Sequence, residues 1–412
     1  MKKLLTILFV AAITTAVAFA QDEEPSFKLS GEAKTGIFYQ DSQKDGEEVK
    51  VEEVKLHSRD DAGGIGEQGR FRLNMDYNNG KNLGFRARFQ WQNWNNNKDV
   101  LWEYAFGYGD FFNDTLAQMT VSVGKLGGSP WGTGGDMWKE LEANGSGGGM
   151  RVEWKPAFPR EYGSINAGFV INYYNEARDS GTDNAQVKIT LAEILRESVL
   201  GISYTHDDWV MARVAYRLDS DVDAVQNNKG LNDAGKGEDE LVYRVEERAL
   251  RNLVPGLRIW ALGHLFGLSA INKEIQQFRN WFFVEYDPPE LWGLNTPFTA
   301  TLSVGNDTAI MDDGSLSEFF LKPSFYWHFF NKLVSVGTVY KISFDYGDGG
   351  IEGAHPYYYM ELEPKIQLNF QSSYIAFAYQ FRKKYIHDFQ ALPGREPVIQ
   401  EQWMNLRFCI YF

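Results

Sequence analysis

Several things are scarce in this sequence, and each scarcity excludes something. Cys409 is the only cysteine in 412 residues, so no intrachain disulfide exists and a disulfide-stapled secreted module is excluded. No cysteine stands directly after the leader, so no lipoprotein anchor is expected either. The six histidines show no H-E-x-x-H or paired spacing, and no G-x-S-x-G nucleophile elbow is present. Thr133-Gly134-Gly135 and Gly147-Gly148-Gly149 lack the G-K-[ST] of a phosphate cradle. Neither an enzyme nor a cofactor or metal site is predicted. Positive charge is scarce too: 41 basic residues face 55 acidic ones, for a net charge of −14, which argues against nucleic acid as a partner. Past residue 20 nothing approaches about 18 consecutive apolar residues, so a helical membrane protein is excluded.

The one strongly apolar stretch is Leu4 to Ala20, preceded by Lys2 and Lys3 and closed by Ala18-Phe19-Ala20. A basic start, an apolar middle and a small-x-small exit predict a cleavable secretory signal over 1–20. The rest reads as one domain, 21–412, because 40 glycines and 15% aromatics are spread along it with no linker between.

What the chain has in abundance is a period of two. From Leu83 to Gln92, Leu83, Phe85, Ala87, Phe89 and Trp91 alternate with Gly84, Arg86, Arg88, Gln90 and Gln92. A helix would scatter the two arginines around its girth; a strand puts them on one face. Phe71, Leu73, Met75 and Tyr77 repeat the pattern against Arg70, Arg72, Asn74 and Asp76, and Asn78-Asn79-Gly80-Lys81-Asn82 turns one run into the other. Trp102, Tyr104, Phe106 and Tyr108 read as one face of the next strand. Similar runs lie at 116–126, 209–220, 298–304, 319–329 and 334–344. Met404, Leu406, Phe408, Ile410 and Phe412 end the chain on one face, with Cys409 on the other.

Connections alternate in length. Short ones fall near 79–82, 111–115, 156–163, 206–208, 250–255, 288–296, 330–332 and 369–372. Polar, Gly/Asp-rich loops fall near 41–67, 127–147, 175–197, 220–239, 268–275, 307–316, 346–355 and 386–398, with a shorter one near 95–99. Within 184–198 a short helix is allowed, and Asp345-Tyr346-Gly347-Asp348-Gly349-Gly350 reads as solvated loop. The alternation predicts about 18 strands, or 16 if weak ones merge, with both termini on the short-turn side. An exported, antiparallel, up-and-down array with this asymmetry is an all-β transmembrane barrel. A bilayer admits only structures that pair every backbone group internally, so such a sheet has to close. A soluble propeller would show a repeat of about 40–50 residues, and none is present.

These features resemble the bacterial outer-membrane porins: the leader, Phe27-Lys28-Leu29-Ser30-Gly31-Glu32 opening the mature chain, the arginine-rich hairpin 70–92, Val123-Gly124-Lys125-Leu126 before a Gly-rich third loop, and the terminal Phe412. The resemblance implies an outer-membrane location in a diderm (Gram-negative) bacterium, contact with outer-membrane lipid, and a homotrimer. It also implies that Phe408, Ile410 and Phe412 are an assembly signal read by the barrel-assembly machinery.

The predicted site is the lumen wall. Arg70, Arg72, Arg86 and Arg88 cluster on two adjacent strands, and Arg213, Arg217, Arg244, Arg248 and Arg258 come from three strands further along. Loop 127–147 carries Asp136, Glu140 and Glu142 beside apolar Trp131, Met137, Trp138 and Leu141. Folded inward, it would set acids against the basic wall and narrow the bore. The competing reading is that the arginines pair with lumen acids such as Asp76 for structure alone. The expected function is passive diffusion of small hydrophilic, anionic or zwitterionic solutes. The alternatives are a hydrophobic-substrate transporter, or an adhesin-like barrel with a closed lumen.

Overall fold

The computed structural model describes residues 24–44, 47–55, 70–92, 99–126, 130–132, 148–172, 198–220, 238–268, 275–311, 314–349, 357–386 and 399–412. The expected signal at 1–20 and the helix weighed within 184–198 lie outside the described residues, apart from Ser198 at the edge of the next strand. Eighteen strands form one ring. They are β1 (Ser26–Lys44), β2 (Arg70–Asn78), β3 (Leu83–Gln92), β4 (Asp99–Phe111), β5 (Met119–Lys125) and β6 (Gly148–Trp154). The ring continues with β7 (Ser164–Asn172), β8 (Val199–Thr205), β9 (Val210–Ser220), β10 (Glu238–Glu247), β11 (Leu257–Phe266) and β12 (Ile275–Tyr286). It ends with β13 (Phe298–Met311), β14 (Gly314–Phe329), β15 (Val334–Gly349), β16 (Tyr357–Phe370), β17 (Ser373–Ile386) and β18 (Ile399–Tyr411).

Every neighbouring pair is antiparallel, and β18 returns to β1 in a ladder running from Glu32 opposite Tyr411 to Lys44 opposite Ile399. The eighteen-strand ring itself is left without an edge, as a lipid-embedded sheet requires. The seam is locked at the chain end. Gly31 and Phe412 exchange backbone hydrogen bonds of 2.7 and 3.1 Å, and the Phe412 ring fills the space a side chain at Gly31 would take. Phe412 also stacks on Phe71 of β2, with centroids 6.1 Å apart.

Residues opposite one another in an antiparallel ladder point the same way. Followed round the ring, one face carries Leu29, Phe85, Leu200, Ile202, Phe377 and Ile410, all exposed. The other carries Glu32, Arg151, Glu240, His264, Glu361 and Arg407, all buried inside the ring. Apolar outside and charged inside is the arrangement hydrocarbon and a polar lumen select. At the short-turn end, exposed Tyr162, Trp209, Leu253, Trp292 and Phe330 form an interfacial girdle contributed by several different turns.

The structure departs from the sequence reading in four places. Arg88 faces Tyr104 while Phe89 faces Trp102, so β4 carries a bulge with one residue, 103, unmatched. A period-two reading changes phase across a bulge. Trp102 therefore faces outward, and Tyr104, Phe106 and Tyr108 face the lumen. Second, the long loop expected at 307–316 is absent, because β13 and β14 stay in register until Met311 meets Gly314. Third, residues 345–349 are strand, with Asp345 opposite Glu318 and Asp348 opposite Ser315. Fourth, β1 runs on to Lys44 in its ladder with β18, and from Phe38 onward its other side pairs with an additional strand, Glu47–Lys55, so much of the expected loop 41–67 is strand.

Candidate functional site: the lumen wall

Hairpin β2–β3 places its arginines on the inner face by strand alternation, and each described one has a partner. Arg86 Nε donates to Asp76 Oδ2 at 3.0 Å, and its guanidinium lies 5.2 Å from the Tyr108 ring centroid. Arg88 Nε donates to Asn74 Oδ1 at 2.7 Å beneath the Tyr104 ring, 5.0 Å away. Arg72 bonds Gln90 and lies 3.4 Å from Glu32. Arg70 occupies the register position opposite Lys34 and Gln92, and its side chain lies outside the described residues. The structure thus contains the pairing with Asp76 that competed with the filter reading. Yet Arg86 and Asp76 keep about half their side-chain surface, 52% and 42%, open on the lumen side.

The second arginine group lies six to nine strands further round, on β9, β10 and β11. Arg217 is held 2.6 Å from Glu240, whose other oxygen is 2.6 Å from His264 Nε2, and all three are buried. Arg213 stands opposite Arg244. Arg244 lies 5.9 Å and Arg258 5.5 Å from the Trp260 ring, and Arg258 pairs with Glu285 at 3.0 Å. Arg248 belongs to the turn end, where it reaches Glu246 at 3.7 Å and Asp207 at 3.8 Å. There, outside the spanning strands, the hydrogen bond from Arg160 at 2.9 Å holds the Asp207 carboxyl below its ordinary range, helped by the charges of Arg160 and Arg248.

Of the expected constriction loop, 130–132 is described; Asp136, Glu140, Glu142, Met137, Trp138 and Leu141 lie outside the described residues. Trp131 has left the rim and entered the barrel. It is fully buried, its indole N–H donates to the Asn166 carbonyl of β7 at 3.0 Å, and its ring occupies the space above Gly201 of β8. Around it Phe106, Leu126, Val170, Val199, Ala215 and Val242 form an apolar cluster on the lumen side. The pairs Gly124–Gly149 and Gly168–Gly201 leave this wall without side chains at four inward positions. That bareness makes room for the inserted ring.

Sequence reasoning missed Arg151 with Glu153 (3.0 Å) and Arg279 with Asp307 (2.9 Å). It also missed the inward charges of β14–β18. Their signal was available: Glu361-x-Glu363-x-Lys365 is a period-two run of charge inside an apolar strand. Among the described residues no group of three or more His, Cys, Asp or Glu side chains is placed to hold a metal ion.

No protein-family model matches the sequence, and no curated protein does. Solved structures do match in shape. OprD of Pseudomonas aeruginosa superposes with a TM-score of 0.50 at 9% identity, covering 96% of this chain and 98% of that one. The anion-selective porin from Comamonas acidovorans gives 0.49 at 10%, covering 94% and 100%. OmpT, an outer membrane protein of Vibrio cholerae, gives 0.47 at 9%, covering 95% and 99%. Over its described length this chain is a closed 18-strand antiparallel barrel with the fold of the bacterial outer-membrane porins.

Proposed function

We propose that the protein is an outer-membrane porin that lets small hydrophilic solutes diffuse through its lumen, with a preference for anionic or zwitterionic ones. The observation that carries this is the division of the wall: a ring with no edge, apolar without and charged within. In this reading Arg70, Arg72, Arg86 and Arg88 form one basic wall and Arg213, Arg217, Arg244 and Arg258 another. Asp136, Glu140 and Glu142 on loop 127–147 oppose the first, and the inserted Trp131 supports an inward course for that loop. Facing charges across a narrow, water-filled bore set a transverse field, so selectivity follows from size and charge without chemistry.

A leader removed on export, insertion through the C-terminal strand bearing Phe408, Ile410 and Phe412, and a homotrimer complete the proposal. Liposome swelling tests it. Vesicles holding the heat-modifiable refolded barrel should swell in isotonic sugars at rates that fall with solute size. Vesicles that behave like protein-free controls would favour an adhesin-like barrel with a closed lumen.

A further inference from the structure

At the short-turn end, side chains of β13, β14, β15 and β16 and of the adjoining turns close a ring of hydrogen bonds around His328. Its Nε2 lies 2.8 Å from Thr299 Oγ1 of β13, and its Nδ1 lies 2.8 Å from Ser335 Oγ of β15. Thr299 reaches Asp287 Oδ1 at 3.3 Å, and Lys332 Nζ donates to both oxygens of that carboxylate at 3.0 and 2.8 Å. From β16, Asn369 Nδ2 donates to the Lys332 carbonyl at 2.6 Å and to Ser335 Oγ at 3.1 Å. Asn369 Oδ1 accepts from Gln367 at 2.6 Å, which fixes the orientation of the amide.

The partners also fix where each proton sits. A carboxylate only accepts, so the Thr299 hydroxyl donates to Asp287 and accepts from His328 Nε2–H. Nδ1 then carries no proton and accepts from the Ser335 hydroxyl, whose oxygen takes the Asn369 N–H. The circuit is complete only with a neutral imidazole. A proton on Nδ1 sets N–H against O–H at Ser335, which is 6% exposed, and takes that hydroxyl's acceptor away.

Among the described residues, the charges that act on the ring are those of Asp287 and Lys332, which already bridge each other. Glu290 shares the turn of Asp287, and the inner faces packed around it carry Tyr326 of β14, Glu285 of β12, Lys365 of β16 and Tyr374 of β17. Glu285 is held by Arg258. An imidazolium there meets Lys332 as a like charge, while Asp287 and Glu285 each already hold a cation.

The circuit spans the turn between β14 and β15, where Phe330, Asn331 and Lys332 have φ of 52°, 54° and 64°. Successive left-handed residues that carry a Cβ are strained and persist only where their surroundings hold them. Here Lys332 is held at both ends, by Asp287 at its Nζ and by Asn369 at its carbonyl. Backbone bonds from Leu333 N–H to Phe330 O (3.1 Å) and from Asn369 N–H to Leu333 O (2.8 Å) complete the clamp.

We infer that His328 is a proton-sensitive latch, which holds the strained turn 330–332 at the short-turn mouth while neutral and releases it when protonated, the barrel ladder staying closed. The ordinary histidine value is about 6.5, so the latch is closed above that pH and is lost as pH falls below it. This response to acid goes beyond the pore reading and does not depend on whether the lumen conducts.

Hydrogen–deuterium exchange of the refolded full-length barrel in detergent tests it. From about pH 8 to about pH 5, protection of the Leu333 and Asn369 amides, corrected for the intrinsic rate, should fall on the order of tenfold. Protection at the turn 206–208 is the control and should hold over the same range. His328→Gln offers an N–H to Thr299 and a carbonyl to Ser335 with nothing to titrate, so its protection should stay within about twofold. Ser335→Ala removes the donor to Nδ1 and should speed exchange of both amides already at the higher pH; it carries the test if the Gln variant does not refold. Wild-type protection that does not change with pH overturns the latch. So does an equal acid-induced fall in His328→Gln, or a Ser335→Ala barrel that exchanges like wild type at both pH values.

Discussion

The indole of Trp131, on the segment between β5 and β6, fills the space above Gly201 of β8 and is pinned by its N–H to Asn166 of β7. A segment that in sequence follows a rim thereby becomes part of the inner wall. The contact has two sides, and each can be altered alone.

Trp131→Ala removes the ring and Gly201→Val fills its socket. Losing a buried aromatic side chain costs on the order of 3–5 kcal/mol at its site. Both variants should free the segment after β5 and raise single-channel conductance, while the barrel ladder, which neither residue closes, still forms. Conductance steps compared with wild type, alongside the heat-modified gel shift, provide the check.

Arg86 and Asp76 are both half open to the lumen, so their pair contributes little to stability, roughly 0–1 kcal/mol. Its effect should be on ions. Asp76→Asn should increase anion over cation permeability, and Arg86→Glu with Arg88→Glu should reverse the preference, with unfolding midpoints almost unmoved. Reversal potentials in a salt gradient report the first quantity and urea titration the second.

Glu240 is different because Arg217 and His264 are buried with it. Removing one partner strands the others, and breaking such a buried pair costs about 3–5 kcal/mol. Glu240→Ala should lower the urea midpoint of the barrel well beyond what Glu285→Ala does at the half-exposed Arg258 pair.

Asp207 ties two turns together through Arg160 and Arg248. Its carboxyl titrates below the ordinary value of 3.8, so the tie is fully present above that pH and is lost as pH falls from there through the lowered value. Amide hydrogen exchange at 206–208 should be unchanged from pH 7 down to about 5 beyond the intrinsic pH effect. Loss of protection should begin only in the more acidic window, and Arg160→Gln should move it upward.

Gly31 and Phe412 close the ring, and a side chain at position 31 would collide with the terminal ring. Gly31→Val should therefore reduce the fraction of heat-modifiable barrel after refolding, as Phe412→Ala should. Equal yields from both variants and wild type would separate closure from this contact.

Much of the fold was legible because two periods coincide in the sequence. Alternation within each strand fixed the faces of Arg86, Arg88, Arg213 and Arg217, and turn chemistry such as Asn78-Asn79-Gly80 fixed where strands reverse. What was not legible depends on one-residue events and on pairing at a distance. The bulge at position 103 leaves no composition signal and yet turns Tyr104, Phe106 and Tyr108 inward, where they cover Arg86, Arg88 and Arg151. Asp345 to Gly349 looked like loop because glycine and aspartate are common in turns, yet register with β14 holds them extended. The partner of each lumen arginine depends on which strand lies opposite, and charge patterning along a single strand does not contain that.

The central claim is that this wall encloses an open, water-filled path. Single-channel recording of the refolded protein in planar bilayers, with reversal potentials under a salt gradient, tests it most directly. The account predicts stable open steps with an anion preference that Arg86→Glu/Arg88→Glu removes. A correctly heat-modifiable barrel that shows no conductance would contradict it.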